Sequence, residues 1–433
     1  MGKRDEPSDF PDNEKSHLLT RRKFIESTVY LSGALAGGAL IFPSETVGEN
    51  ASAAIPATTP PASPTLPKPI VPNEVVLAQK DPSMKVLTER PLTANITAEY
   101  LNDAITPTNR LFIRNNLLTP DISAAGHTLT IKGLVFKPTT FTLEELKHTF
   151  TPVTMQGMLE CAGSGRTAFQ PLPKGTPWHP TGGFGCPQWT GIRLKDVLAF
   201  SGVKTEAVHV AFFGADFGEV PTAPPMVRSI PLSKAMDPHT LIVWAINGEP
   251  LPKIHGFPLR MVVPGWVASA SVKWLVGIEV LDQPFRGSYM DDSYRIPVSP
   301  VTPGTKMPKE TVSTEAWPVK SVITSPPQGM KYKLGEKITV SGKAWAGDDD
   351  IVKVEVSLDE GATWVKANLD KPTDKYAWTI FYFSFSAPRT GYLTILARAM
   401  DSKGNLQPIS GIWNPLGYFW NGIPRVGIVI EKS

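Results

Sequence analysis

This sequence has little cysteine, no paired histidines and almost no net charge, and each shortage removes a class of function. Two cysteines, Cys161 and Cys186, stand among 433 residues. No CxxC and no CxxCH occurs, so neither a cluster held by thiolate pairs nor a covalently attached c-type haem fits this chain. The seven histidines include no HxxxH or HExxH spacing, so two imidazoles never share a helix face one turn apart as zinc hydrolases require. With 43 Lys and Arg against 40 Asp and Glu, the net charge is only +3. No basic stripe or nucleic-acid motif accompanies it, which excludes binding driven by a phosphate backbone. Gly163-Ser164-Gly165 is not a GxSxG nucleophile elbow. Gly182-Gly183-Phe184-Gly185 lacks the strand-to-helix setting of a dinucleotide loop and reads as a turn.

Proline, by contrast, is abundant. Its 43 residues are about twice the usual share, which favours strands and ordered loops over helices. Near the start, Arg21 and Arg22 precede a Gly- and Ala-rich apolar run at 27–42, too short and weakly hydrophobic for a membrane span, and Ala51-Ser52-Ala53 reads as a cleavage site. TRRKF resembles a twin-arginine export signal, so residues 1–53 are read as an address and the mature protein as periplasmic. Seven prolines within residues 56–72 mark 54–82 as an extended linker.

Two folded regions follow, a division the length also requires. In residues 83–308, FTLEELKHTF carries Thr142 as a helix cap with Glu144 and Glu145 in the first turn, and GIRLKDVLAFSGV has helical periodicity ending at Gly202. VHVAFFGADF, LIVWAINGEPL with an Asn247-Gly248 turn, LRMVV and VKWLVGIEVL read as strands, giving an α+β class. Residues 309–433 switch to short alternating segments, among them KITVSGKAWA, YAWTIFYFSFSA and GYLTILARAM, with a hairpin at Asp359-Glu360-Gly361. This is a β-sandwich pattern, immunoglobulin-like in spacing but without the antibody cysteine pair.

The two cysteines allow two readings, a Cys161–Cys186 disulfide or a Cys161 thiolate bound to a soft metal. With no protein-built ligand set in the pattern, a metal at Cys161 would draw its other ligands from a cofactor. Around it stand groups suited to anions: Arg114 beside Asn115 and Asn116, Arg166 within the LECAGSGR stretch, and His255, Arg260 and Lys273 within HGFPLRMVVPGWVASASVKW. Guanidinium groups bind oxyanions through paired hydrogen bonds and lysine supplies a point charge.

The order NRLFIRNN, LECAGSGR, GTPWHPTGGFGCPQWTGIRL, INGEPLPKIHGFPLRMVVPGWVASASVKW, DQPFRGSYMDDSYRIP and WNPLGYFWNGIPRV resembles the sulfite oxidase family of molybdenum enzymes, and within it the exported bacterial sulfite dehydrogenases. The resemblance implies a molybdopterin-binding domain followed by a dimerisation domain, and hence a homodimer. It implies a molybdenum–molybdopterin cofactor with Cys161 as the protein ligand to the metal, held by Arg114, Asn115, Asn116, Asp216, His255, Arg260, Ser271 and Lys273. It further implies a substrate pocket formed by Arg114, Arg166, Trp178 and Tyr294, where sulfite is oxidised to sulfate. Cys186 is then an unpaired buried thiol. No haem is expected in this chain, and no cytochrome b5-like domain precedes the cofactor domain, so the electrons are expected to pass to a separate cytochrome c.

Three positions depart from the animal members: Ser164 replaces an asparagine, Asn116 a histidine, and Leu416 stands where a basic residue is common. Ser164 has no role legible in the sequence. Two other functions share parts of the pattern, a molybdopterin-dependent reductase of an oxidised sulfur compound and a non-enzymatic exported anion-binding protein.

Overall fold

The computed structural model describes residues 69–432. Residues 1–53, read as an export signal, and the proline-rich stretch to residue 68 lie outside the described residues. Residues 69–82, read as the end of the linker, are instead packed. A short helix, Asn73–Leu77, follows Pro72, whose fixed φ is tolerated at a helix start. Val71 and Val76 then bury against Leu92, Ala94, Ile113 and Ile254. Once the prolines thin out, enough apolar side chain remains to dock the segment.

The region that follows is built on two five-stranded sheets. One runs in the order Val227–Pro231, His209–Gly214, Leu275–Leu281, Thr128–Gly133, Thr139–Thr142, mixed because Leu275–Leu281 lies parallel to Thr128–Gly133. The other joins Glu249–Pro250, Leu241–Ile246, Gln188–Arg193 and Val153–Gln156, with Arg260–Val262 added beside Leu241–Ile246. Their inner faces share one core, with Ile131, Val210, Phe212 and Ile278 from the first and Ile192, Ile242 and Met261 from the second.

Helix is scarce: the five α-helices among the described residues have at most eight residues each. Leu143–Thr149 starts at a complete capping box, in which Thr142 Oγ1 accepts from the Glu145 amide and Glu145 accepts from the Thr142 amide. Leu194–Ser201 ends at Gly202 with φ +67°. The stretch expected to begin that second helix is a strand, Gln188–Arg193. Its Trp-Thr-Gly-Ile alternation pairs with strands on both sides, and tertiary pairing overrides the helical spacing.

From Lys320 onward the strands form two sheets. One has four strands, Lys320–Ser325, Lys337–Trp345, Thr379–Ser386 and Asn368–Leu369. The other has five, Lys331–Lys333, Arg425–Glu431, Gly391–Asp401, Ile351–Ser357 and Val365–Lys366. Ile338, Val340 and Phe381 of the first face Val354, Ile395 and Ile428 of the second in a single core, so this region is a sandwich. The Asp359 carboxylate ties the expected hairpin by accepting from Thr363 N and Ser357 Oγ, both at 2.8 Å. A third core joins the two regions, with Met158, Phe184 and Tyr294 packed with Trp317, Trp345 and Trp378. The irregular stretch before Arg425–Glu431 crosses back over the first region, where Phe419 N donates to Ala162 O at 2.9 Å.

Candidate active site

Cys161 follows a two-residue strand, Leu159–Glu160, that pairs with Phe184–Gly185. Its amide donates to Gly183 O at 2.9 Å, so the glycine run expected to be a plain turn serves as the backbone support of the thiol. Tight turns follow, with Ser164 N donating to Cys161 O at 2.9 Å and Gly165 at φ +82°. Both cysteines are free and buried. Cys161 packs with Leu111, Phe112 and Trp178, whereas Cys186 belongs to the separate cluster around Met158 and Phe184. The disulfide reading is therefore set aside. Burial pushes the Cys161 thiol up, while Arg114, the Gly163 amide and Arg166 pull it down. Cys186 is pushed up to about 12, again by burial.

Beside Cys161 opens a cavity with about 680 Å³ of unfilled space, counted to its mouth. Its wall includes Arg114, Asn115, Asn116, Asp216, His255, Arg260, Ser271, Lys273 and Tyr294 as well as Cys161. All nine residues assigned to the cofactor from sequence thus meet at one place. Arg260, fully buried, donates from Nη1 to His255 O at 3.0 Å and from Nη2 to Ser271 O at 3.1 Å. Lys273 Nζ donates to Ile254 O at 2.9 Å and also to Asn115 Oδ1.

Burial pushes Arg260 down to about 9. Burial, reinforced by neighbouring cations, holds His255 and Lys273 well below their ordinary values. His255 Nε2 lies 2.5 Å from Lys80 Nζ, and burial lowers Lys80 to about 7. The one carboxylate on the wall, Asp216, is raised to about 7 by the same desolvation.

Crowded cations held down by burial lack an anion. Buried acceptors and donors are normally satisfied, yet Asp216 Oδ1 and Ser269 Oγ are buried without a partner among the described residues. The wall fits a polar, anionic group that would complete both. Among the described residues no three His, Cys, Asp or Glu side chains cluster, so a metal at Cys161 would take its other ligands from such a group.

A family model described as "Oxidoreductase molybdopterin binding domain" matches residues 116–289, and another, "Mo-co oxidoreductase dimerisation domain", matches residues 311–431. The mitochondrial sulfite oxidase of Macaca fascicularis is 35% identical over 368 residues, covering 81% of this chain and 66% of that protein. The sulfite oxidase of Arabidopsis thaliana is 30% identical over 385 residues, covering 82% of this chain and 96% of that protein. The chain belongs to the sulfite oxidase family. It spans about two thirds of the length of the primate relative (66%). Its fold is similar to the solved sulfane dehydrogenase SoxCD from Paracoccus pantotrophus, with a TM-score of 0.68 and 27% identity over 82% of this chain and 89% of that one. Molybdopterin, the cofactor that goes with the matched binding domain, is a polar, anionic group of the kind this wall fits.

Two residues expected at the substrate, Arg166 and Trp178, are not on the cavity wall. Arg166 donates from Nε to Leu416 O at 3.0 Å and from Nη1 to Thr176 O at 2.7 Å. Its guanidinium lies 5.4 Å from the centre of the Tyr418 ring, which stacks at 5.6 Å on Tyr294. Trp178 is fully buried, edge-on to Phe112 of the wall at 5.8 Å. Both stand behind side chains that face the cavity, a layering that motif order does not encode.

Arg114 and Tyr294 do face the cavity. Arg114 Nη2 donates to Asn116 Oδ1 at 2.6 Å, and Asn116 Nδ2 donates to Tyr294 Oη at 2.9 Å. Sequence reading missed Lys80, which it had placed in the linker, and Ser269 and Met226, which carry no charge to mark them. It also missed Arg228, buried with its guanidinium 5.1 Å from the centre of the Tyr294 ring. A lone arginine in an alternating strand offers no signal of its own.

Proposed function

We propose that this chain is an exported, molybdenum-dependent sulfite dehydrogenase. It oxidises sulfite to sulfate in the periplasm after twin-arginine export and passes electrons to a separate cytochrome c. Residues 83–308, with 69–82 docked on them, are the catalytic domain. Residues 309–433 are an immunoglobulin-like module through which two copies pair. The observation that carries the reading is the convergence of a buried thiol, a group of uncompensated cations and unpartnered polar atoms on one cavity.

Cys161 would hold the metal. Asn115, Asn116, Asp216, His255, Arg260, Ser271 and Lys273 would hold the pterin and its phosphate together with Arg114. When bound, the molybdenum–pterin group supplies two-electron oxygen-atom transfer. The rest of the work falls to the chain's side chains. Arg114, immobilised by Asn116, presents a fixed cation to the sulfite oxyanion, and a preorganised charge costs no reorganisation as the anion reacts. Tyr294 is held by Asn116 at its oxygen, with its ring between Tyr418 and Arg228. Its hydroxyl donates to Asn116 Oδ1 at 3.1 Å, and by turning from that acceptor it can donate to a departing oxyanion. Tyr418 and Phe419, brought by the sandwich, cover that side against water.

A second reading, a sulfur substrate less charged than sulfite, is favoured by the withdrawal of Arg166 onto two carbonyls, which leaves one guanidinium on this side of the wall. It is also consistent with the likeness to a sulfane dehydrogenase.

Purified protein is expected to carry about one molybdenum per chain and to reduce cytochrome c when given sulfite. Cys161→Ser should fold and retain pterin while losing nearly all sulfite oxidation. Full activity in that variant sinks the thiolate assignment. Reduction of a sulfoxide without any sulfite-dependent cytochrome reduction reverses the direction of the reaction.

A further inference from the structure

Ser164, silent in the sequence, joins the most buried ion pair among the described residues. Lys320 of the sandwich strand Lys320–Ser325 and Glu160 of the catalytic region are 1% and 7% exposed, with Nζ to Oε1 at 2.8 Å. Lys320 Nζ also donates to Ser164 Oγ at 3.1 Å, and Ser164 Oγ donates onward to Gly182 O at 2.7 Å. The second oxygen of Glu160 accepts from Trp345 Nε1 of the sandwich at 2.7 Å. The residue just before Cys161 and the residue three after it are thus tied to one lysine from the other region. The faces of Phe184, Trp345 and Trp420 enclose its head at 5.3 to 5.8 Å. A small space is lined by Glu160, Ser164 and Lys320 together with Cys161 and Trp420.

Desolvating such a pair is costly, and apolar residues of similar size often do as well for stability. Its place around Cys161 points to another role. Groups that orient a metal ligand tune both its geometry and its electron donation.

We propose that Lys320 is a positioning residue for Cys161. Through Glu160 and Ser164 it fixes the loop that carries the sulfur, so the sandwich domain sets how the thiolate meets the molybdenum. This rests on the assignment of Cys161 as the metal ligand.

The test compares holoenzymes of the wild type, Lys320→Met, Glu160→Gln, Ser164→Ala and Cys161→Ser. Four quantities are followed: molybdenum content, the visible thiolate-to-molybdenum absorption band, the metal's midpoint potential, and kcat and KM for sulfite. Lys320→Met and Glu160→Gln are expected to keep their molybdenum, shift the band and the potential, and lose about 10- to 100-fold in kcat, with sulfite KM little changed. A smaller shift in the same direction is expected for Ser164→Ala. Should Lys320→Met fail to fold, Glu160→Gln and Ser164→Ala decide by the same readouts. A lowered urea midpoint with band, potential and kcat all unmoved overturns the proposal and leaves the pair a structural tie. A band that is absent from the wild type, or that survives in Cys161→Ser, overturns the thiolate assignment instead.

Discussion

Gly165 sits where the Cys161 loop meets the sandwich, and Gly165→Ala should break that contact by a calculable amount. Its φ is +82°, and a methyl group there would lie 2.3 Å from Trp420 Cε3 and 2.6 Å from Cδ2. Carbon atoms in contact rest about 3.5–4.0 Å apart, so the ring would have to move by more than an ångström. It has little room to do so. Trp420 is 6% exposed, and Gly411 and Gly422 approach it so closely that a Cβ on either would sit 2.9 Å from the ring.

The left-handed conformation costs a non-glycine residue about 1–2 kcal/mol, and overpacking a filled site adds about 1–3 kcal/mol. The substitution should therefore destabilise by about 2–5 kcal/mol. Gly335, at φ +81° with open space around its Cβ position, isolates the conformational cost alone. Urea unfolding followed by tryptophan fluorescence should place Gly165→Ala below Gly335→Ala by the overpacking share. The mutant should also lose molybdenum, because the displaced loop carries Cys161. Equal midpoints for the two variants would refute the steric argument and with it the claim that Trp420 clamps the loop.

Two further outcomes follow from the charges. Lys80, lowered to about 7 from 10.5, binds fewer protons folded than unfolded across that interval, so the stability of cofactor-free protein should rise with pH over about 7 to 10.5. Asp216, raised to about 7 from 3.8, acts oppositely below that window, its contribution falling as pH climbs from 3.8 to 7. Urea midpoints of cofactor-free protein taken from neutral to alkaline pH should therefore climb. A level profile in the cofactor-free protein contradicts the reading of these cations. Arg166→Gln cannot keep the bonds to both Leu416 O and Thr176 O, and should raise the sulfite KM by about tenfold. An unchanged KM removes Arg166 as a support behind the substrate wall.

What the residues alone determined is what lies within a few positions of itself. The capping box at Thr142 and Glu145 and the Asn247-Gly248 hairpin, with φ of +51° and +84°, are decided by hydrogen bonds and backbone preferences local to the chain. Motif order placed Cys161, Arg114 and the residues from Asp216 to Lys273 in one family, and the cavity gathers them. The strands Lys320–Ser325 and Arg425–Glu431 escaped notice because short alternations of this kind become strands only when a neighbour supplies the pairing.

The tertiary structure decided the rest. It drew Lys80 out of the supposed linker to His255, set Arg166 and Trp178 behind the wall, and stacked Tyr418 of the sandwich on Tyr294. It also gave Ser164 a partner 156 residues away in Lys320. Burial, ion pairing and stacking depend on which surfaces meet after the sheets have closed, and their energies come from water excluded by residues distant in the chain. No local pattern can carry that information.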